Sequence, residues 1–414
     1  MPVKMTLESK LAFSLPWARQ VLGMVVFAGV SVLTWKALNS RISRYPSSGK
    51  RKPTHVSSLS DVSDAAETEF IFDATKNQEF VTQKLNAKEV KISRILSNRL
   101  MPYREQSCRG TSVSRANFTP SGLENDRQWC IVDASSHLII TARAFPKVGM
   151  IQDETDSCGG RLEVAFPAES GCETFYVPLK PTINVLKTWN IIDDCSVHSF
   201  TDIDGYITEP HPASPDKDSA LCSATLSHFF GKQVHLMYKG PRFRPSPPTW
   251  SFPELDVHVN YQDAYPLLVV SEESFRSVKN MVSKWSEEQD KDELKNLDTD
   301  SLVLERYRPN IVFEGASVPF AEDMWKEITI TSTSTAEATS FTLVAKCTRC
   351  MLPNIDPASG VRNMSVPSKP LLKFRTGLDP GRLEDACFGC NAVPVKEGVL
   401  SVGDVVSVQT WGYV

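Results

Sequence analysis

The stretch LLVVSEES at residues 267–274 joins a buried-strand pattern directly to a helix start. Four consecutive apolar residues, two of them β-branched, are typical of a strand that is covered on both faces. Ser271 follows as a helix cap, and the pattern predicts a helix from Ser274 to about Trp285. Further strand-like runs follow in the second half of the chain, at residues 311–313, 328–330, 341–345 and 405–408.

The first half carries the same kind of short, β-branched runs. They are WCIVD (residues 129–133), HLIIT (137–141), LEVAF (162–166) and QVHLM (233–237). Runs this short and this closely spaced predict a sheet or barrel domain. The proline-rich residues 241–253 predict a long surface loop or a domain boundary. We therefore expect a β-rich α+β fold with two domains.

Composition limits the classes of function. The 414-residue chain has a net charge of −4, which argues against nucleic acid as the main partner. Its ten cysteines are too sparse for a disulfide scaffold, so we expect free thiols in a reducing compartment. Residues 1–52 are basic, which leaves an acidic body. That charge suits either a basic docking partner or ordinary solubility. No glycine-rich nucleotide motif is present in the sequence.

The N-terminal region predicts a membrane anchor. Residues 21–35 (VLGMVVFAGVSVLTW) carry no charge. As a helix they would cover roughly 22 Å of a ~30 Å hydrocarbon core, and Lys36 can snorkel and extend the span to residue 38. Positive residues are denser after the segment, which places the C-terminal body in the cytosol. A cleaved signal peptide and a mitochondrial presequence are the alternatives. Residues 1–20 form a tail before the anchor, and the polar residues 39–88 predict a flexible tether.

Cys350 is the first candidate for chemistry. It follows Arg349, whose charge lowers the pKa of a neighbouring thiol, and only the thiolate is a good ligand or nucleophile. Two Cys-x-x-Cys pairs, 347/350 and 387/390, leave a structural zinc site open as an alternative, although the pairs stand further apart than in a zinc ribbon.

Two further segments could hold an anion. Arg306, Arg308 and Asn310 lie just before a strand, where an arginine fork suits a phosphate or carboxylate and the amide can donate to a ring carbonyl. Arg308 could instead pair with an acid such as Asp263 or Glu322. Near the start of the body, the turn QSCRG (residues 106–110), together with Ser107 and Arg127, could cradle an anion through its N–H groups, or could be a simple turn.

Taken in order, these segments resemble the MOSC superfamily of molybdenum-cofactor proteins, and more closely the mitochondrial amidoxime-reducing components. The resemblance rests on QSCRG, the segment DRQW (residues 126–129), RPNIV (308–312), FAEDMW (320–325) and CTRC (347–350). It implies a MOSC N-terminal β-barrel domain at residues 89–250 and a MOSC β-barrel domain at residues 255–410, behind the N-terminal transmembrane helix.

The resemblance also implies roles for individual residues. Cys350 would be the molybdenum ligand and, with Asp263 lining the substrate pocket, a catalytic residue. The residues expected to hold the molybdopterin are Gln106, Ser107, Arg127, Arg308, Asn310, Thr348, Arg349 and Asn391. Gln106 and Asn391 depart from the lysine and tyrosine of the family pattern, which removes a cation from the phosphate cradle at Gln106.

The implied activity is reduction of N-hydroxylated compounds such as amidoximes, with the molybdenum cofactor carrying the redox chemistry. Because the chain has no ferredoxin-like cluster motif, we expect the electrons to come from another protein. The resemblance implies that cytochrome b5 and its reductase supply them. The implied location is the mitochondrial outer membrane, with the catalytic body in the cytosol. The alternative is a MOSC-type carrier of sulfur or molybdenum cofactor without reductase activity.

Overall fold

The computed structural model describes residues 89–101, 111–141, 152–155, 160–197, 200–210, 217–289, 299–356 and 361–412. The predicted anchor, the tether, Gln106 and Ser107 lie outside these residues. Among the residues that are described, no helix has both the length and the apolar character that a membrane crossing requires.

Within the described ranges, the first half (residues 89–259) consists of short strands and two helices. The strands are β1 (Val90–Ser97), β2 (Leu100–Met101), β3 (Thr111–Val113), β4 (Arg115–Thr119), β5 (Gly122–Leu123), β6 (Trp129–Asp133), β7 (Gln152–Thr155), β8 (Arg161–Ala165), β9 (Phe175–Pro178), β10 (Trp189–Val197), β11 (Phe200–Pro210), β12 (Val234–Lys239), β13 (Arg244–Pro245) and β14 (His258–Val259). The helices are α1 (Ile183–Leu186) and α2 (Lys217–Phe230).

Within the described ranges, the second half (residues 267–412) has longer strands and two more helices. The strands are β15 (Leu267–Ser271), β16 (Ile311–Glu314), β17 (Trp325–Thr331), β18 (Ala338–Thr348), β19 (Cys387–Pro394), β20 (Gly398–Ser401) and β21 (Val405–Trp411). The helices are α3 (Glu272–Glu287) and α4 (Ser368–Phe374). Short 3-10 turns span Ala168–Ser170, Thr299–Ser301, Leu304–Tyr307, Ala321–Met324 and Leu352–Asn354.

A closed seven-stranded barrel is the centre of the second half. Its order is β16-β15-β19-β18-β17-β21-β1, and β1 returns to pair with β16. Only the β15–β16 pair is parallel. Trp325 and Phe313 are fully buried inside, with ring centroids 5.5 Å apart. The predicted β-rich fold with a MOSC-type barrel is thus confirmed for the described chain.

The barrel includes a strand from the first half of the chain. β1 lies before the predicted domain boundary near residue 250, yet it closes the barrel by pairing with β16. β3 pairs with residues 95–97 at the end of β1. In return β20 pairs with β4. The rest of the first half, within the described ranges, pairs as a five-stranded sheet (β10-β11-β12-β6-β2) and a three-stranded sheet (β7-β8-β9). The two halves are therefore tied together by backbone hydrogen bonds.

The local sequence explains the key elements. All five residues of β15 are buried, as the run LLVV predicts. Ser271 caps α3 by accepting a hydrogen bond from the backbone N–H of Ser274, so the helix begins at Glu272 rather than at Ser274. β17 alternates buried and accessible positions because one face lines the barrel. The run HLIIT forms only isolated bridges at Leu138 and Ile139.

Gly389 allows β19 to pass close to β15. Its φ is +78°, and a Cβ built there would lie 2.9 Å from the carbonyl oxygen of Val269. We expect Gly389→Ala to lower the free energy of unfolding by about 2 kcal/mol, since the backbone would be strained and a neighbouring backbone atom would have to move. Gly160→Ala is the matched control, because nothing lies within 4 Å of its Cβ position. Urea unfolding measures both, and an unchanged midpoint for Gly389→Ala would contradict the close approach.

Candidate functional site

A recess of about 720 Å³ lies where the two halves meet. It is lined by every predicted site residue that the structure describes: Arg127, Asp263, Arg308, Asn310, Thr348, Arg349, Cys350 and Asn391. These residues lie between positions 127 and 391 of the sequence but share one cavity.

Cys350 lies in the short link between the end of β18 and the 3-10 turn that begins at Leu352. It is exposed, whereas Cys347 is half-buried and Cys387 and Cys390 are buried. Burial raises the pKa of the Cys387 thiol to about 12, and it also raises the pKa of the Cys390 thiol well above its ordinary value. Cys350 is thus the thiol of the four that a ligand can reach most easily.

The four-thiolate zinc hypothesis finds no support in this geometry. Cys390 donates from Sγ to the backbone oxygen of Glu322 at 3.4 Å, inside the barrel wall. Within the described ranges, no three His, Cys, Asp or Glu side chains are grouped so that they could hold a metal ion. A metal bound through Cys350 would therefore need its other ligands from a cofactor or solvent.

Arg349 is fixed by both arms of its guanidinium. Nη1 donates to Cys347 Sγ at 2.9 Å, and Nη2 donates to the backbone oxygen of Tyr307 at 2.8 Å. Burial acts to lower the pKa of Arg349, but the nearby sulfurs of Cys347 and Cys350 outweigh it and raise the pKa. The positive charge therefore stays close to both thiols.

The buried carboxylate of Asp126 belongs to a hydrogen-bond network that joins the two halves. Asp126 accepts from the backbone N–H of Asn98 at 2.6 Å and pairs with Arg127 at 2.5 Å. Arg127 Nη2 in turn reaches the backbone oxygen of Arg308 at 3.4 Å, and Arg308 Nε reaches Asn98 Oδ1 at 3.5 Å. Arg308 itself has a left-handed φ of 55° at the end of a 3-10 turn. This network orients both arginines toward the cavity that they line.

The side chain of Asn310 forms its hydrogen bonds with backbone atoms. Its Oδ1 accepts from Leu268 N at 3.1 Å, and its Nδ2 donates to Leu96 O at 3.4 Å. Its own backbone N–H and C=O bond to Leu268 and Leu96 as well. The amide predicted to meet a ring carbonyl thus joins β15 to β1, and one amide hydrogen is left for a ligand.

Arg306 does not form a fork with Arg308. Its Nη2 pairs with Asp356 at 3.0 Å and also donates to the backbone oxygen of Ser301 at 3.0 Å. The side chain fastens the 3-10 turns together behind the recess. Glu322, one suggested partner for Arg308, instead accepts from the hydroxyl and the N–H of Ser271.

Asp263 faces solvent inside the recess but is closely surrounded by protein. The resulting loss of solvation raises the pKa of its carboxyl to about 7, and the charges of Arg308 and Arg349 oppose that rise. The protonated form of this carboxyl is therefore favoured more than that of an ordinary aspartate.

Sequence reasoning missed several lining residues. Lys346 is nearly buried and lies on β18 two positions before Thr348. Arg382 donates from Nη1 to Thr348 Oγ1 at 3.0 Å. Tyr307, the proline-rich segment 247–251 and Phe200 also line the cavity. Lys346 could have been found from the period of the strand, whereas Arg382 lies 34 residues from Thr348 and carries no local signal.

The site can be compared with known proteins. Residues 256–407 match the family model of the MOSC domain, and residues 98–207 match that of the MOSC N-terminal beta barrel domain. Human mitochondrial amidoxime-reducing component 1 is 26% identical over 315 residues, which cover 73% of this chain and 80% of that protein. Human mitochondrial amidoxime reducing component 2 is 26% identical over 326 residues, with 74% and 82% covered. The molybdenum cofactor sulfurase of Oryza sativa subsp. japonica is 26% identical over 296 residues, with 70% and 32% covered.

The raised pKa of Asp263 predicts a pH-dependent effect on stability. Between the ordinary value of 3.8 and about 7, the folded chain binds more protons at this carboxyl than the unfolded chain does. The stability that the protonated form contributes is present below 3.8 and is lost as pH rises through about 7. We expect Asp263→Asn to gain stability relative to the parent between pH 4 and pH 8, as measured by urea unfolding of the cofactor-free chain.

Asp300→Asn is the control for this experiment, because the Asp300 side chain is 94% exposed. A stability difference for Asp263→Asn that varies with pH no more than that of Asp300→Asn would contradict the raised pKa of Asp263.

Proposed function

Because this chain is a MOSC-domain protein that resembles the mitochondrial amidoxime-reducing components, we propose that it reduces N-hydroxylated compounds of the amidoxime type. One observation carries the proposal. The exposed thiol of Cys350 lies in the same recess as the cations of Arg127, Arg308 and Arg349.

The molybdenum cofactor is the ligand of this class of domain, and the recess fits it. Five cationic side chains line the cavity: Arg127, Arg308, Lys346, Arg349 and Arg382. Such a lining suits an anionic pterin phosphate. Arg349 Nε and the Tyr307 hydroxyl are buried without a hydrogen-bond partner among the described residues. Buried polar atoms of this kind usually have a partner, and the cofactor would supply one. Cys350 offers the soft thiolate that molybdenum accepts.

Each residue would then have a distinct task. The Cys350 thiolate would bind the metal, and Arg349 would keep positive charge beside that sulfur. Arg127 and Arg308, oriented through Asp126 and Asn98, would bind the phosphate and the pterin edge. Thr348 would face the cofactor from β18 and hold Arg382 in place. When bound, the cofactor supplies the two-electron redox chemistry that an N–OH reduction requires.

Asp263 is the candidate proton source. Reduction of an N–OH group to N–H consumes two electrons and two protons and releases the oxygen as water. A carboxyl with a pKa near 7 holds a proton at neutral pH and can pass it to the departing oxygen. Arg308 and Arg349 then stabilise the carboxylate that remains.

The electrons would come from outside the chain. We propose cytochrome b5 and its reductase as the donors, and the mitochondrial outer membrane as the location, with the predicted residues 21–38 as anchor. The mitochondrial relatives support this location. A tether raises the effective concentration of donors held on the same membrane, so a modest affinity between the partners would suffice.

A second candidate function is transfer of sulfur or of the cofactor without reduction of a substrate. The match to the molybdenum cofactor sulfurase favours it, although this chain spans only 32% of that protein. An exposed thiol such as Cys350 could carry a sulfur atom as readily as it could bind a metal. Turnover of an N-hydroxylated compound discriminates between the two functions.

The test uses the full chain in detergent, loaded with cofactor and supplied with cytochrome b5, its reductase and NADH. We expect the rate of benzamidoxime reduction to be more than about a hundredfold lower for Cys350→Ala than for the parent. Loss of a metal ligand should lower the activity at least as much as loss of a residue that supports the ligands. Cys172→Ala is the matched control, since Cys172 is a half-buried thiol whose Sγ lies 3.9 Å from the backbone oxygens of Ser170 and Thr225, away from the recess.

Because Cys350 is exposed, its replacement should leave the melting temperature unchanged. Equal rates for the parent and Cys350→Ala would refute the assigned ligand. A cofactor-loaded parent that turns over no N-hydroxylated compound but carries persulfide at Cys350 would favour the carrier function.

A further inference from the structure

The proline-rich segment has a structured tip at the recess. Residues 247–251 all line the cavity, although the proposed chemistry uses none of them. Trp250 at this tip is 77% exposed, which is the highest value among the large apolar side chains of the described residues. A large aromatic ring is normally at least partly covered, so its position here calls for a contact.

The backbone that carries Trp250 is held in place. At the base of the segment β13 pairs with β14, and Ser246 N donates to Val257 O at 2.7 Å. At the tip, Thr249 N donates to Phe252 O at 3.1 Å, and Phe252 N donates back to Thr249 Oγ1 at 3.0 Å. Two prolines, at 247 and 248, restrict the approach to this turn.

The far side of the turn is attached to the barrel. The Nζ of Lys326, on β17, lies 5.8 Å from the centroid of the Phe252 ring. A turn that is tied at its base, across its tip and along one face presents Trp250 in a defined position. The backbone that carries the indole is thus held by hydrogen bonds and is not a loose loop.

The walls of the recess divide by chemistry. The arginines and Lys346 are suited to the anionic cofactor, whereas Pro247, Pro248 and Trp250 offer an apolar rim. A substrate that brings an N–OH group to the thiol wall must place the rest of its structure elsewhere in the recess. An apolar, planar group would be matched best by the rim, since aromatic rings stack on flat apolar faces.

We propose that Trp250 binds the aromatic part of the substrate, so that the chain prefers aromatic amidoximes over small aliphatic ones. This inference rests on the proposed function and names the substrate class within it. Trp250 would be a specificity-determining residue: it contributes to binding and not to the redox step.

The test compares benzamidoxime with acetamidoxime on the cofactor-loaded full chain, with reduced methyl viologen as the electron source so that no protein donor has to dock. We expect Trp250→Ala to raise the KM for benzamidoxime roughly tenfold, as loss of an aromatic stacking partner predicts. Its kcat and its KM for acetamidoxime should stay close to the parent values, and Trp250→Phe should recover most of the loss.

Phe243→Ala is the matched control, because Phe243 is an aromatic residue of the same segment that is 57% exposed and does not line the recess. It should change neither KM. A binding readout accompanies the kinetics: benzamidoxime added to the oxidised protein should quench tryptophan fluorescence saturably in the parent and much less in Trp250→Phe.

The outcomes are distinguishable. If the parent reduces neither compound, the proposed function fails. If the parent reduces both and Trp250→Ala leaves the ratio of the two KM values unchanged, Trp250 does not set specificity. Loss of molybdenum or pterin from Trp250→Ala would overturn the inference too, because the indole would then contact the cofactor and not the substrate.

Discussion

The structure depends on one joint, where the buried amide of Asn310 connects β1 to β15. Four hydrogen bonds meet at this residue, two from its backbone and two from its side chain. They lie at the start of β16, the strand through which β1 closes the barrel. Because strands from the first half complete the ring of the second, the recess between the halves has a fixed shape. Arg308 stands two residues before the joint, so the cation and the barrel closure are set by the same few backbone contacts.

This joint explains how an exposed thiol and buried cations come to share one cavity. β18 ends at the recess, and Cys350, two residues after its end, is exposed to solvent. Lys346 lies on β18 itself and is buried. Asp126 neutralises part of the charge of Arg127 while it fixes the position of that side chain. Such pre-arranged charge favours an anionic ligand, since the protein does not have to reorganise when the ligand binds. The low solvation that these walls impose also raises the pKa of the Asp263 carboxyl.

Local pattern predicted the strands well and their partners poorly. The runs WCIVD and LLVV each fall within a strand, because β-branched and apolar residues fit a covered sheet. The membership of β1 in the barrel depends on pairing over more than 200 positions (Ile95 with Ile311), for which a single sequence has no signal. Arg306 and Arg308 looked equivalent, yet the left-handed φ of Arg308 sends the two side chains to different partners. The ordered series of motifs predicted many of the charged and polar residues that line the recess. It did not predict Arg382 and Trp250, which reach the recess only through the fold.

We propose above all that the Cys350 sulfur binds the metal of the cofactor. X-ray absorption at the molybdenum edge of the cofactor-loaded full chain counts the sulfur neighbours of the metal directly. We expect one fewer sulfur neighbour in Cys350→Ser than in the parent, and an unchanged number in Cys172→Ser. An unchanged sulfur count in cofactor-loaded Cys350→Ser would contradict it.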